Sequence, residues 1–297
     1  MRAPIRHSMN DNLRRGARFA ILAALGFSLL GVSVKTAAQQ GIAIEMIVFF
    51  RSFISLCLLT PWLLHESSGG FKTARLGGHL WRSAFGVCAI YCFFYAISHL
   101  PLATAMLLTY STPLYVPFIA WLWIEERPPW IALPAAVVGL IGIGFIVKPG
   151  ADFGGLAALI GVLSGLFAAG AMVSIRRISD TEPAARIVFY FSALSSLICA
   201  VPLLWAWQMP TATQALTLLA VGVCATWGQL ALTQAYAAAP AARVGPFIYL
   251  TVIFSALLAW LLWGETLDRG FAIGALLVIA TCVMVGWVRR EDYSQSE

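Results

Sequence analysis

QALTLLAVGVCATWGQLALTQAY, residues 214–236, runs for 23 residues without a charged side chain. As a helix rising 1.5 Å per residue it would be about 35 Å long, enough to cross a bilayer core about 30 Å thick. Working outward, comparable apolar runs occupy roughly 17–37, 44–64, 79–98, 102–124, 131–148, 155–175, 186–207, 244–263 and 270–288. Short breaks rich in turn formers separate them: Gln39-Gln40-Gly41, Ser67-Ser68-Gly69-Gly70, Arg127-Pro128-Pro129, Lys148-Pro149-Gly150 and Gln208-Met209-Pro210. None is long enough to hold a separate domain, so function must lie within the membrane.

Composition agrees. Of 297 residues 60% are hydrophobic and only 11% charged, against about 25% in a soluble domain. The net charge of +6 does not point to nucleic acid, because the basic residues form no stripe. All six cysteines fall inside apolar runs without a C-x-x-C pair, which favours packing thiols over a metal or haem site. The sequence implies no cofactor. A basic start at Arg14, Arg15 and Arg18 before an apolar stretch also fits a signal peptide. The repeat described below uses that segment as a span.

Lysine and arginine set the orientation. With the N-terminus in the cytoplasm, fifteen of the nineteen lie inside, Arg82 among them. Only Lys35, Lys148 and Arg269 lie outside, and Arg51 sits within a span. Both termini are therefore expected in the cytoplasm of an inner-membrane protein.

The chain also repeats itself weakly. Val32-Ser33-Val34-Lys35 ends the first span and Val173-Ser174-Ile175-Arg176 the sixth. Ile47-Val48-Phe49-Phe50 opens the second and Ile187-Val188-Phe189-Tyr190 the seventh. Trp123-x-Glu125 closes the fourth and Trp263-x-Glu265 the ninth. The offsets are 141, 140 and 140. Five spans per half is an odd number, so the halves enter the membrane from opposite sides, as in many secondary transporters. The expected fold is all-α and integral to the membrane, with ten transmembrane helices as two inverted five-helix repeats. Residues 1–150 form the first half with the N-terminal tail, and residues 151–297 the second with the C-terminal tail.

With these features the chain resembles the EamA branch of the drug/metabolite transporter superfamily. Phe50-Arg51-Ser52, the turn from Tyr95-Ala96 to Leu100-Pro101, and Ser111-Thr112-Pro113 are further points of likeness. The aromatic third and fourth spans are most similar to aromatic amino-acid exporters of the YddG type. One departure is Val252-Ile253, which stands where the second half would repeat Pro113. The resemblance implies alternating access around a cavity lined by spans one, three, four, six, eight and nine.

Candidate substrate-binding residues are the polar and aromatic ones within spans. Arg51 costs about 2.5–3.5 kcal/mol by insertion scales and needs a partner or a cavity. It reads equally as a carboxylate anchor and as a structural arginine snorkelling outward or bonding neighbouring carbonyls. Tyr91 and Tyr95, with His99 beyond, share a face, and Tyr110 starts another stripe. Gln229, Thr233 and Tyr236 share a face of the eighth span, with Trp227 beside them and Tyr249 in the ninth. Such groups bond each other or a substrate. Pro113 and Pro117 read as a hinge or a static kink.

No Asp or Glu lies in the middle of a span, which favours facilitated movement over proton antiport. There is no Walker A lysine, HExxH or G-x-S-x-G elbow, so the chain is not read as an enzyme. The expected function is export of amino acids, aromatic ones included, or of similar metabolites. The implied partners are a small-molecule substrate and the lipid bilayer. The sequence does not fix the oligomeric state, and a monomer is compatible with it. Proton-coupled efflux, a solute channel and an intramembrane enzyme remain alternatives. The charge asymmetry is testable by single-cysteine labelling of intact cells. Position 210 should react with an impermeant reagent and position 70 should not; labelling at 70 would reverse the orientation.

Overall fold

A computed structural model describes residues 13–65, 71–99, 108–147, 155–264 and 269–287. The Leu100-Pro101 turn, residues 102–107, Lys148-Pro149-Gly150, Asp152, Glu265 and Asp268 lie outside them, as do the side chains of His99 and Cys282. All regular structure among the described residues is helical. The long helices are α1 (Leu13–Gln39), α2 (Ile44–His65), α3 (Leu76–His99), α4 (Thr112–Ile124) and α5 (Ala132–Val147). They continue with α6 (Gly155–Ile178), α7 (Ala184–Cys199), α8 (Ala212–Ala238), α9 (Leu250–Trp263) and α10 (Arg269–Trp287). Leu13–Gln39, Ile44–Pro61, Gly155–Ile178, Ala212–Ala238 and Ala241–Trp263 are long and apolar enough to cross a membrane. Thr112–Ile124, Ala132–Phe145, Ala184–Cys199 and Arg269–Thr281 are shorter apolar helices.

The stretch 214–236 falls inside α8, which begins at a capping box. Thr211 Oγ1 accepts from Gln214 N–H and Gln214 Oε1 from Thr211 N–H, satisfying two orphan donors of the first turn. Gln214 Nε2 also donates to Gln40 O at 3.0 Å, fastening α8 to the α1–α2 turn.

Two of the expected spans are interrupted. The seventh, read as 186–207, stops at Cys199, turns, and resumes as a single helical turn at Leu203–Ala206. Pro202 disfavours a helical Val201 and brings no N–H to continue the ladder. The ninth, read as 244–263, begins as a helical turn at Ala241–Val244 and passes through a 3-10 segment at Gly245–Tyr249, where Pro246 sits. Pro113 occupies the first turn of α4 instead of its middle, where a missing N–H breaks no helical bond. A Cβ on Gly245 would lie 3.5 Å from Pro113 Cβ, so the two proline-bearing breaks meet.

The helices pack in pairs drawn from the two parts of the chain. α1 runs along α8, α3 along α6, and α5 along α10. α2 packs on α7 and α8, α1 also meets α9, and α4 meets α6. In lipid little hydrophobic force drives helices together, so close approach of small residues does the work. A Cβ on Gly26 of α1 would stand 2.9 Å from Gly228 Cα of α8, and one on Gly222 would collide with Ile54 Cβ of α2. Neither neighbour can rotate away. The largest apolar core gathers Ala20 and Ala23 of α1, Val116 of α4, Val173 of α6, Ala235 of α8 and Val252 of α9.

Gly26→Ala and Gly222→Ala should each destabilise the protein by about 1–3 kcal/mol through overpacking. Gly31→Ala, whose Cβ would meet nothing within 4 Å, should be neutral or stabilising. Thermal denaturation in detergent followed by size exclusion checks this. Equal loss at all three positions would contradict the packing.

Candidate functional site

A buried polar cluster sits where α2, α3, α7 and α8 meet. Ser55, one turn after Arg51 on α2, hydrogen-bonds Thr226 of α8 at 2.7 Å. One turn further along α8, Gln229 Oε1 accepts from Arg82 Nη2 at 3.2 Å. Arg82, two turns into α3, is only 4% exposed. Its guanidinium lies over the ring of Phe191 on α7, 4.1 Å from the centroid, a favourable cation–π distance. Gly86 makes this possible: a Cβ there would collide with Arg82 Nη1 and stand 2.6 Å from Phe191 Cε2.

Phe191, Ser195 and Cys199 follow at four-residue spacing, one stripe of α7. At its far end Tyr91 donates to Cys199 Sγ at 3.9 Å. The guanidinium groups of Arg51 and Arg82 repel each other. Among the described residues neither forms an ion pair with a carboxylate. Arg82 Nε and Nη1 and the Ser195 hydroxyl are buried without a hydrogen-bond partner.

The other expected site residues divide. Tyr91, Tyr95 and Trp227 are exposed at 42%, 36% and 38%, their rings available to lipid or to solute. Tyr110 packs half-buried against the main core. Thr233 donates to Gln229 O on its own helix. Tyr236 and Tyr249 are fully buried, with hydroxyls on Met172 Sδ at 2.9 Å and Ala136 O at 3.0 Å. The structure thus joins Gln229 to Arg82 and Tyr91 to Cys199, places Arg51 one turn from the Ser55–Thr226 bridge, and sets Thr233, Tyr236 and Tyr249 into the packing. Pro113 and Pro117 are buried. Beside them Thr109 pairs with Ser164 at 2.7 Å and Thr112 donates to Thr109 O, hydroxyls that tie the start of α4 to α6. The cluster's walls are α2, α3, α7 and α8, whereas the family likeness implied spans one, three, four, six, eight and nine.

Sequence reading missed Arg82 and Glu182. Arg82 was counted with the basic flank; moving it into the bundle leaves fourteen against three and the charge asymmetry intact. Glu182 sits in the turn between α6 and α7. Its carboxylate accepts from Thr73 and, at 2.8 Å, from Arg186, and lies 3.7 Å from His79 Nε2. His79 in turn stacks on Tyr190 with centroids 4.3 Å apart. The i, i+4 pairing of Glu182 with Arg186 was the available signal. A second fastening lies nearby: Glu126 accepts from Arg176 Nε at 3.2 Å and from Ala241 N–H at 2.9 Å, while Arg176 Nη1 donates to Ala237 O. Among the described residues no group of three His, Cys, Asp or Glu could hold a metal.

The EamA-like transporter family matches the chain twice, over residues 14–148 and 155–287. The pseudopaline exporter CntI of Pseudomonas aeruginosa is 35% identical over 283 residues, covering 94% of this chain and 99% of its own. The riboflavin transporter of Vibrio cholerae is 26% identical, with 94% and 95% covered. The S-adenosylmethionine uptake transporter of Rickettsia bellii is 23% identical, with 97% and 99% covered. A solved crystal structure superposes with a TM-score of 0.77 over 93% of this chain and 98% of its own, at 16% identity, a likeness of fold alone. The chain belongs to the EamA-like transporter family and is a multi-pass membrane transporter, not an enzyme.

Glu182 provides a test of the fastening around it. Burial pushes its carboxyl upward, but hydrogen bonds from Thr73 and Arg186 and the charges of His79 and Arg186 outweigh that and hold it below the ordinary carboxylate value. A lowered folded value gives stability that is present above the unfolded value, about 4.3, and lost as pH falls through the folded one. Glu182→Gln should cost roughly 1.5–3 kcal/mol at pH 7 and flatten the acid limb of Tm against pH. An unchanged acid limb would show that the contact carries no stability.

Proposed function

We propose that this protein moves a small organic solute out of the cytoplasm by alternating access between two inverted five-helix halves, ten spans in all. The observation that carries this reading is the Arg51–Arg82–Gln229 cluster, polar groups held between α2 and α3 of one half and α7 and α8 of the other. Inverted-repeat transporters bind at such an interface near the midplane. The helix pairing supports the duplication: exchanging the halves turns α1–α8 into α6–α3 and α1–α9 into α6–α4, and all four contacts occur. The two family matches, 14–148 and 155–287, divide the chain at the same place.

In this reading both termini face the cytoplasm of an inner-membrane protein. The contacts of Glu126 with Arg176 and of Glu182 with Thr73 and His79 then close the cytoplasmic end, and transport requires them to open. The 35% identity to a pseudopaline exporter supports the outward direction. Amino acids, the aromatic ones included, and metabolites of similar size are the substrates to test first.

Without a carboxylate at the middle of a described helix, movement is downhill and needs no stoichiometric proton. Among the described residues, the buried His79–Glu182 contact favours proton coupling, since both groups titrate.

Purified protein in proteoliposomes should catalyse saturable counterflow of a transported solute, where a channel would not saturate. An imposed pH gradient should not drive uphill accumulation; accumulation abolished by a protonophore would establish proton coupling instead. Gln229→Ala should weaken uptake two- to tenfold, about one hydrogen bond, while Leu257→Ala on an exposed face does little. Equal effects would move the site elsewhere.

A further inference from the structure

The polar cluster is unbalanced in charge. Arg82 is buried, with one of its donors on Gln229 Oε1 and both Nε and Nη1 unpartnered. The Arg51 carbonyl accepts from Ser55 Oγ, but its guanidinium makes no hydrogen bond or ion pair with any described residue. Each charge held within a membrane costs a few kcal/mol, and the two guanidiniums add their mutual repulsion. A buried cation without an anion is the strained half of an ion pair. Neutral donors around it do not cure this. Arginine has no acceptor, so Gln229 must turn its oxygen to Arg82, and its amide NH2 is left to donate elsewhere. Every unoccupied group here is a donor or a hydroxyl, a lining that calls for acceptors.

Arg82 lies against Phe191 on α7, and Ser195 follows one turn further along the same stripe. On α2, Arg51 stands one turn before Ser55, whose hydroxyl pairs with Thr226, one turn from Gln229. The two arginines thus reach one interface from different helices.

We infer that the transported solute is a small organic anion with two carboxylates, one held by Arg51 and the other by Arg82 and Gln229, with the Ser195 hydroxyl one turn from the ring under Arg82. The inference rests on the transporter reading and narrows its substrate class. A zwitterion with one carboxylate would bring its ammonium close to a second guanidinium, so simple neutral amino acids should be poor ligands. An added ammonium is tolerated where the solute still carries two carboxylates.

The test uses purified full-length protein in detergent and in proteoliposomes. The probes are glutarate, adipate, pimelate and glutamate, set against butyrate, phenylalanine, glutamine and glutaramide. Dicarboxylates should raise Tm saturably, as ligands of the folded state do, and exchange in counterflow; the monocarboxylate, zwitterions and amide should do neither. Arg82→Gln and Arg51→Gln should each weaken the dicarboxylate response roughly ten- to hundredfold, the effect of one charged hydrogen bond. Arg51→Gln is the decisive variant. It removes a repulsive charge that has no ion-pair partner among the described residues, so its Tm without ligand should equal or exceed that of the parent while the dicarboxylate response is lost. Counterflow of phenylalanine or glutamine undiminished in Arg51→Gln would overturn the dicarboxylate inference and keep the transporter reading. No dicarboxylate-dependent Tm rise would overturn the inference outright, and the absence of counterflow by every probe together with it would remove the transporter reading too.

Discussion

In hydrocarbon no water completes a hydrogen bond, and every polar group the chain carries into the bilayer must find its partner in the protein. Most of this structure follows from that constraint. The backbone answers it with helices. Hydroxyls answer it by donating back one turn, as Thr226 does to Gly222 O and Ser174 to Gly170 O, or across a helix interface, as Ser55 does with Thr226. Where the backbone is broken, side chains step in. Thr112 reaches Thr109 O before α4 and Gly165 O on α6, and Glu126 takes the N–H of Ala241 where the ninth span starts. The hydroxyls of Ser83, Ser195, Ser196 and Thr251 are buried without such a partner, and so are Nε and Nη1 of Arg82, where the unmet donors carry a charge.

The same constraint sets the helix spacing. Because lipid is as apolar as leucine, contact surfaces gain stability from close approach and not from burying oily side chains. Hence Gly26 against Gly228, and Gly142 against Gly274. The larger apolar side chains turn outward; Leu204, Leu122 and Leu261 are among the most exposed of them. An exposed leucine here faces hydrocarbon, where it belongs.

This explains what the sequence could and could not disclose. Length and polarity reveal spans because the bilayer imposes both, and the positions of α1, α2, α5, α6, α8 and α10 follow from them. Breaks within spans are harder to read. Pro202 and Pro246 stood in plain view, but a proline in a membrane helix is compatible with continuation whenever neighbours re-satisfy the freed groups, so composition alone does not end α7 at Cys199. Site residues divide by the range of the evidence for them. Arg51 was legible because it interrupts an apolar run. Arg82, six residues from the start of α3, looked like an ordinary flanking charge, and only the room left by Gly86 and the ring of Phe191 draws it inward. Glu182 lay in a turn, where carboxylates are common, and its partners Thr73 and His79 are about a hundred residues away in sequence. Tyr236 and Tyr249 carried the residue type of a binding site but are held by Met172 and Ala136, contacts no periodicity foretells.

The offset of 140 shared by the sequence words also exposes how the cluster departs from its own repeat. At that offset Ser52 corresponds to Ser192 and Ser55 to Ser195, so the hydroxyls of α2 recur on α7. The cations do not recur. Arg51 corresponds to Phe191, and Arg82 to Gly222. Thr226, the partner of Ser55, corresponds to Gly86, and there the guanidinium of Arg82 fills the space a side chain would take. Ser195 therefore lacks the partner that Ser55 has. Where the offset would set a second hydroxyl bridge the structure has an arginine, and the ring at the position matching Arg51 supports it. Both positive charges come from the first half, and the second half supplies the amide, the ring and the hydroxyl around them. Duplication alone would give a site with equal ends. This division gives one with two cations and, among the described residues, no carboxylate paired with either, which is a property of these particular residues and not of the fold.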